Sequence, residues 1–394
     1  MSIGFLPFFV LAHFSHHLLT ALPVPLLPLI RDDFNLDYTQ AGLVVSVFSL
    51  FYGISQLPSG WLADRIGPRV LITIGICGVA LTGFLVGFSQ SYFMLIALLA
   101  LMGIAGGGYH PSASPLISTS VAPETRGRAL GFHLVGGSAS FFLAPLIAAG
   151  IATFWGWRGS FIGLAIPTMI FGIWFYYLLE RILKRNKTQK QSEITQPIRN
   201  TLNTKVYLHR LIPFLTLTTF TQAVTYSTMT FIPLFMVDHF GAGEEIAAAF
   251  ISISYSAGLW ASPLGGYFSD RFGSISVLIA ACLITAPALY LINVIPYSMP
   301  FAALLLVIGM AMYIRMPASE TYILNNVPER HRSTIYGIYY FAGMEGGGIL
   351  TPVMGLLIDH FGFYPSFTIS GISVIVMTLL CVGFLRNKKE SLPT

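Results

Sequence analysis

The sequence predicts an all-α membrane protein of twelve transmembrane helices, on three observations: its composition, the recurrence of apolar stretches and the placement of its charges. Of 394 residues, 55% are hydrophobic and 9% charged, with a mean hydropathy of +0.73, too little charge to coat a water-soluble globule. Apolar stretches of roughly 20 residues recur along the chain, the length a helix needs to cross about 30 Å of hydrocarbon. They run near 5 to 30, 39 to 62, 70 to 89, 92 to 118, 129 to 152, 158 to 180, 211 to 236, 245 to 267, 275 to 295, 299 to 325, 334 to 358 and 364 to 385. The first is too long, too rich in histidine and too poor in cleavage signals for a removable leader, so it is expected to stay in the mature chain.

If the spans alternate, the basic residues fall on one side. Arg65, Arg69, Arg126, Arg128, Arg271, Arg330, Arg332, Arg386, Lys388, Lys389 and the run from Arg181 to Arg210 share it. The other side keeps Arg31 and Arg158 beside Asp32, Asp33, Asp37, Asp238, Glu244, Glu245 and Asp359. The positive-inside rule then places both termini and the 181 to 210 segment in the cytoplasm, with the chain in the inner membrane. A net charge of +5 spread over helix ends points to phospholipid, not nucleic acid. Cys77, Cys282 and Cys381 all lie in apolar runs, which supports neither a disulfide framework nor a clustered metal site. No cofactor is expected.

The polar stretch after Arg181 reads as a linker, and the segments on either side read as a duplicated unit. Gly60, Asp64, Arg65 and Gly67 in GWLADRIG recur 206 positions later as Gly266, Asp270, Arg271 and Gly273 in GYFSDRFG. The same offset carries Phe34 onto Phe240, Asp32 onto Asp238, Pro111 onto Pro317, Gly131 onto Gly337, and Gly156, Ser160 and Phe161 onto Gly362, Ser366 and Phe367. A register held across six helices argues for duplication. The expected organisation is a six-helix bundle over 1–180, a cytoplasmic linker over 181–205 and a second six-helix bundle over 206–394.

These features resemble the major facilitator superfamily. The loop Gly60, Leu62, Ala63, Asp64, Arg65, Gly67, Arg69 between spans 2 and 3 is similar to that superfamily's signature. The second copy between spans 8 and 9 and the loops Pro123 to Arg126 and Pro328 to Arg330 fit it too. The resemblance implies two six-helix halves related by a pseudo-two-fold axis, transport by alternating access, and no enzyme activity. It also implies a gate on the cytoplasmic face built from Gly60, Asp64, Arg65, Gly67, Arg69, Arg126, Asp270 and Arg271. The simpler alternative is charge that merely flanks the spans. The GGGYHPSAS stretch, Gly106 to Ser114, is similar to fosmidomycin-resistance and related organic-anion branches. Two elements depart from the drug/proton antiport pattern. LLALMGIAGGG lacks the usual arginine of span 4, and span 5 offers Ala144-Pro145 after Gly136-Gly137.

Ionisable groups inside a span cost about 2.5–3.5 kcal/mol on insertion scales unless they face a cavity or a partner, so they point to function. His13, His16, His17 and Thr20 share one face of span 1 at i, i+3, i+4 and i+7, a face expected to line water. Any one of these histidines can instead serve neighbouring backbone groups. Span 4 carries Tyr109 and His110 beside Pro111, and its counterpart, span 10, carries Arg315 at the position of Tyr109. Glu320 follows at i+5, too far round a regular helix to pair with Arg315. His133 on span 5 aligns with Tyr339 on span 11. Gln222, the counterpart of His16, forms a stripe with Thr218 and Tyr226 on span 7, although threonines there can bond back to their own helix.

Glu345, mid-span in GMEGGG, is the leading candidate for coupling to protons, with Glu320 second; the alternative for Glu345 is a fixed ion pair with Arg315 or a histidine that only holds helices together. The resemblance places spans 1, 4, 7 and 10 around the substrate, hence His16, His110, Gln222 and Arg315 around one midplane site; His13, His17, Tyr109 and Tyr226 on the same spans, with His133 on span 5 and Tyr339 on span 11, are the further expected contacts. A buried arginine favours a carboxylate or phosphate-type group and disfavours a bare metal ion as cargo. The expected activity is proton-coupled transport of a small organic anion or anionic chelator by a monomer. A proton-driven exporter of an antimicrobial compound is the second reading, and a transporter-like sensor the third.

Overall fold

The computed structural model describes residues 5–121, 126–189, 204–327 and 329–386. Gly60, Asp64, Arg126 and Glu345 belong to described helices, but their side-chain surroundings lie outside that description. The elements are helices throughout: α1 Leu6–Thr20, α2 Leu27–Phe34, α3 Tyr38–Ile66, α4 Pro68–Val86, α5 Tyr92–Gly106, α6 Tyr109–Ser120 and α7 Arg126–Gln189. There follow α8 Thr204–Thr230, α9 Ile232–Phe240, α10 Glu244–Ser256, α11 Ala261–Phe272, α12 Ser274–Leu291, α13 Met299–Asn326, α14 Glu329–Phe361 and α15 Phe363–Arg386.

In lipid a backbone amide has no water to bond, so helices that satisfy their own groups are the expected solution for this composition. Among the described residues, eight helices are each long and apolar enough to cross a membrane, and α10 with α11, bent by 46°, makes a ninth candidate. One stretch, Ala129–Arg181, covers 53 residues, about 80 Å at 1.5 Å per residue. It breaks at Gly156 (φ +65°, ψ 176°) and accounts for two spans. Helices α1 with α2 and α8 with α9, which fall outside those candidates, occupy the places of the first and seventh expected spans. Prolines at the first or second position start α1, α2, α4 and α13, where the missing N–H costs nothing. Asp37 and Gln40 close a reciprocal capping box at the start of α3 (2.7 and 3.1 Å), satisfying two otherwise orphaned donors.

The duplication is written in the backbone. Among the described residues, six have positive φ: Asn35, Gly67, Gly156, Gly241, Gly273 and Gly362. They form three pairs at the offset of 206: Asn35 with Gly241, Gly67 with Gly273, Gly156 with Gly362. Gly67 (φ +90°, ψ 147°) and Gly273 (φ +82°, ψ 141°) turn the chain between α3 and α4 and between α11 and α12. A Cβ at either position would meet nothing within 4 Å, so an alanine there costs through backbone strain alone, about 1–3 kcal/mol. Gly67→Ala and Gly273→Ala are each expected to lower the melting temperature of the detergent-solubilised protein, whereas Asn35→Gly leaves it within a degree or two; equal melting of all three would remove the strain account.

Two compact units result: Met1–Gln196 with Ile232–Ser252, and Pro197–Phe231 with Ile253–Thr394. They differ in two respects from the division expected at 180 and 206. Helix α7 continues to Gln189, past the expected start of the linker, because lysine, arginine and glutamine are good helix formers where no lipid must be faced. The stretch Ile232–Ser252 groups with the first unit, where Arg31 and Tyr38 hold Asp238.

Candidate functional site

In the first unit, five histidines from three helices gather. His13, His16 and His17 come from α1, His110 from the first turn of α6 and His133 from α7. Glycines let these elements approach: a Cβ on Gly75 would meet Tyr109 Cβ at 2.8 Å, and one on Gly137 would meet the His13 ring at 2.7 Å. Aromatic rings fill the space those missing side chains leave. His13 Nδ1 donates to the His133 carbonyl (2.8 Å) and His133 Nδ1 to the Phe9 carbonyl (3.1 Å). The two rings thus clasp α1 to α7, stacked with centroids 4.2 Å apart. His16 Nδ1 donates to the Gly75 carbonyl (3.0 Å), and its Nε2 accepts from the Tyr52 hydroxyl (3.1 Å); its ring stacks on Tyr109 at 4.3 Å. His17 Nδ1 donates to Thr20 Oγ1 (3.1 Å), whose own proton goes to the His17 carbonyl (3.2 Å). His17 Nε2 lies 3.2 Å from His110 Nε2.

The face of α1 expected to line water is therefore turned into its own bundle, and His13, His16, His17 and Thr20 are all buried. Spacing alone sees an amphipathic face; it does not see that Gly75 and Gly137 leave ring-sized room opposite it.

The second unit carries a different cluster. Arg315 on α13 is 2% exposed. Its guanidinium donates to the Thr218 carbonyl, to Thr218 Oγ1 at 3.4 Å and to Gln222 Oε1 at 3.3 Å. Thr218 Oγ1 shares a 2.8 Å hydrogen bond with Ser319 Oγ, which also donates to the Arg315 carbonyl (3.0 Å). Tyr339, buried on α14, lies against the same Thr218 and Ser319. Among the described residues every acceptor around the guanidinium is neutral, and no carboxylate lies within ion-pair distance of it.

Much of the hydroxyl stripe on α8 bonds back one turn: Thr219 to Leu215, Thr225 to Thr221, Thr228 to Val224 and Thr230 to Tyr226, at 2.6 to 2.9 Å. Thr218 and Gln222 are the members that turn to Arg315. Tyr226 packs on Gly347, where a Cβ would meet its ring at 2.7 Å. Glu320 is half-buried on α13.

On the acidic side, both of the basic residues expected there are paired. Arg31 holds Asp238 with both terminal nitrogens, one at 2.8 Å, and Asp32 through Nε at 2.8 Å, while the Tyr38 hydroxyl donates to Asp238 at 2.7 Å. Arg158 pairs with Asp33 at 2.7 Å and donates to the Ser89 carbonyl at 3.0 and 2.9 Å. On the basic side, Arg69 pairs with Glu180 (3.1 Å) and donates to the Tyr176 hydroxyl (2.8 Å), Arg65 sits over the Trp61 ring at 3.8 Å, and Arg271 donates to the Tyr267 hydroxyl at 3.0 Å. Asp270 is exposed. Asp238→Ala is expected to lower the melting temperature at low ionic strength, with the gap to wild type narrowing in 0.5 M salt because partly exposed pairs are screened. A gap indifferent to salt would assign the loss to packing.

Tyr52, Ser319, Tyr38 and Glu180 are participants that sequence reasoning missed. All four are ordinary in type and position, and their roles come from the partners they reach.

A chain of twelve spans in two repeated halves, each enclosing buried ionisable groups, defines a multi-pass membrane transporter and not an enzyme. Residues 9–259 and 214–394 match the family model described as Major Facilitator Superfamily, and the chain belongs to that superfamily. It is 26% identical over 379 residues to "Multidrug resistance protein MdtG" of Salmonella paratyphi B, spanning 94% of this chain and 92% of the relative. The protein of the same name from Citrobacter koseri is likewise 26% identical, over 382 residues. Among solved structures, a POT family transporter in complex with 5-aminolevulinic acid superposes with a TM-score of 0.82 at 14% identity, covering 98% of this chain and 96% of that one. A bacterial homolog of the human lysosomal transporter Spinster, inward-facing and unoccupied, superposes with a TM-score of 0.75 at 17% identity, covering 98% and 97%.

Proposed function

We propose that this transporter exports a small organic compound bearing an anionic group and that the export is driven by protons. The observation that carries the reading is Arg315: a permanently charged, planar donor, enclosed in the second unit, whose acceptors among the described residues are all neutral. A charge so enclosed is costly unless a counter-ion joins it, and a guanidinium fits a carboxylate or phosphate-type oxygen pair with two parallel hydrogen bonds. Gln222 and Tyr339 stand beside it as further polar contacts. The direction, outward, draws support from the relatives named multidrug resistance proteins, although spans 4 and 5 lack parts of the usual antiport pattern.

Glu345 is proposed as the proton carrier, with Glu320 as the alternative; a carboxyl group inside a span can exchange a proton, whereas Arg315 stays charged. The positive-inside bias supports placing the basic side and both termini in the cytoplasm, and the proposed unit of transport is the monomer. Inside-out vesicles with an acidic interior are expected to accumulate radiolabelled phosphonates or aromatic carboxylates, and to stop when the pH gradient is collapsed. Accumulation of cationic dyes in place of anions would overturn the substrate class; accumulation that survives collapse of the gradient would overturn the coupling.

A further inference from the structure

The hydrogen bonds of the histidine cluster settle where its protons sit. Backbone carbonyls only accept, so His13, His16 and His133 each carry their proton on Nδ1, which donates to the carbonyl of His133, Gly75 and Phe9 respectively. Thr20 Oγ1 spends its own proton on the His17 carbonyl, so His17 too is protonated on Nδ1. Four imidazoles are thereby fixed in one tautomer, each with a lone pair on Nε2. Two of these lone pairs are used: Tyr52 donates to His16, and His110 supplies the proton between its Nε2 and that of His17. Two are not. His133 Nε2 is fully enclosed without a hydrogen-bond partner, in a residue 1% exposed, and no hydrogen bond to His13 Nε2 occurs among the described residues.

An enclosed acceptor without a donor is costly, and this one is not alone. His13, His110 and His133 can each offer one ring nitrogen such that all three lie within 4.8 Å of one another. An imidazole whose Nδ1–H is held by a carbonyl while Nε2 faces inward is the arrangement that metal-binding histidines use, because the outer bond fixes the tautomer and the ring direction. Three nitrogens bound to one ion at 2.0–2.1 Å lie about 3.4 Å apart; ring rotations close the set, with His110, whose Nε2 proton serves His17, joining through Nδ1 or by giving up that contact. We infer that His13, His110 and His133 form a site for one late first-row divalent transition-metal ion, of which zinc and cobalt are the natural probes. The second trio, His16, His17 and His110, is less suited, since its lone pairs already accept hydrogen bonds.

Three neutral imidazoles leave the charge of the ion uncompensated, so the fourth position favours an anionic oxygen. The fixed Arg315 argues against a bare metal ion as the transported species, but the histidine trio lies in the first unit and Arg315 in the second. The histidine cluster is of a type that can bind a transition metal, but spacing along the chain does not pick out these three ligands, which come from α1, α6 and α7.

Full-length protein in detergent, stripped with a chelator, is titrated with zinc and separately with cobalt. One zinc per chain is expected by elemental analysis after gel filtration, with visible absorption bands typical of tetrahedral or five-coordinate cobalt and a rise in melting temperature that magnesium does not produce. His133→Ala and His13→Ala should each weaken zinc binding by about 100-fold, the scale of losing a ligand or its support. His239→Ala, outside the cluster, should leave it unchanged. Because a histidine variant can fail to fold, each is checked by helical circular dichroism. Tyr52→Phe, which leaves the trio intact, serves as a second variant and should keep the cobalt spectrum. Absence of stoichiometric zinc in wild type, or zinc retained at full affinity by a folded His133→Ala protein, overturns the site. Arg315→Gln is expected to bind zinc normally, so failure of this inference and failure of the anion reading show up in different variants.

Discussion

Replacing Arg315 with glutamine is expected to cut transport of an anionic compound by about 100-fold or more at sub-saturating concentration, while the protein still inserts and purifies as wild type. Each charge-assisted hydrogen bond lost to an anion is worth about 1.5–3 kcal/mol, and glutamine cannot offer two parallel donors with a full charge. Glutamine ends two bonds short of the guanidinium nitrogen that serves the Thr218 carbonyl, so the melting temperature of the variant is measured beside transport, and an unchanged value assigns the loss to the ligand and not to the packing of α8 with α13. Arg315→Lys restores charge without the fork and is expected to recover only part of the activity. The measurement is initial uptake into inside-out vesicles at matched protein levels. Wild-type rates in Arg315→Gln would remove the residue from the transport path altogether.

The second large effect concerns folding. A Cβ at Gly136 would collide with the Val10 carbonyl, and one at Gly137 with the His13 ring, so α1 and α7 approach at a distance only glycine permits. Gly136→Leu is expected to cost about 3 kcal/mol or more, since backbone, unlike a flexible side chain, has little room to yield. The outcome is a collapse in the monodisperse fraction recovered by size-exclusion chromatography. Gly131→Leu, five residues earlier on the same helix where an added Cβ meets nothing within 4 Å, is the control and should behave as wild type. Equal recovery of both would show that the close approach of α1 to α7 is not what holds this region together.

How much of this was legible beforehand follows from what a one-dimensional pattern can carry. The twelve spans and the repeat were readable because hydropathy and a fixed offset are properties of the string itself; even the six positive-φ residues fall on positions the offset pairs. Histidine as the unusual feature of span 1 was readable too, from its cost in lipid. What the histidines do was not. Whether a ring faces water or a neighbouring carbonyl depends on the glycines of other helices, Gly75 on α4 and Gly137 on α7, and a single sequence does not say which helices meet. The same limit hid Ser319 and Tyr52, ordinary residues whose roles come from the partner they reach.

The paired turns allow the two halves to be compared slot by slot. Where the first half holds His16, Tyr109 and His133, the second holds Gln222, Arg315 and Tyr339, in helices whose breaks coincide. One copied framework has thus been given opposite electrical characters, electron-pair donors in one half and a fixed cation in the other. Each half therefore calls for its own kind of probe: electron-pair acceptors such as metal ions for the first, and compounds bearing a carboxylate or phosphate-type group for the second.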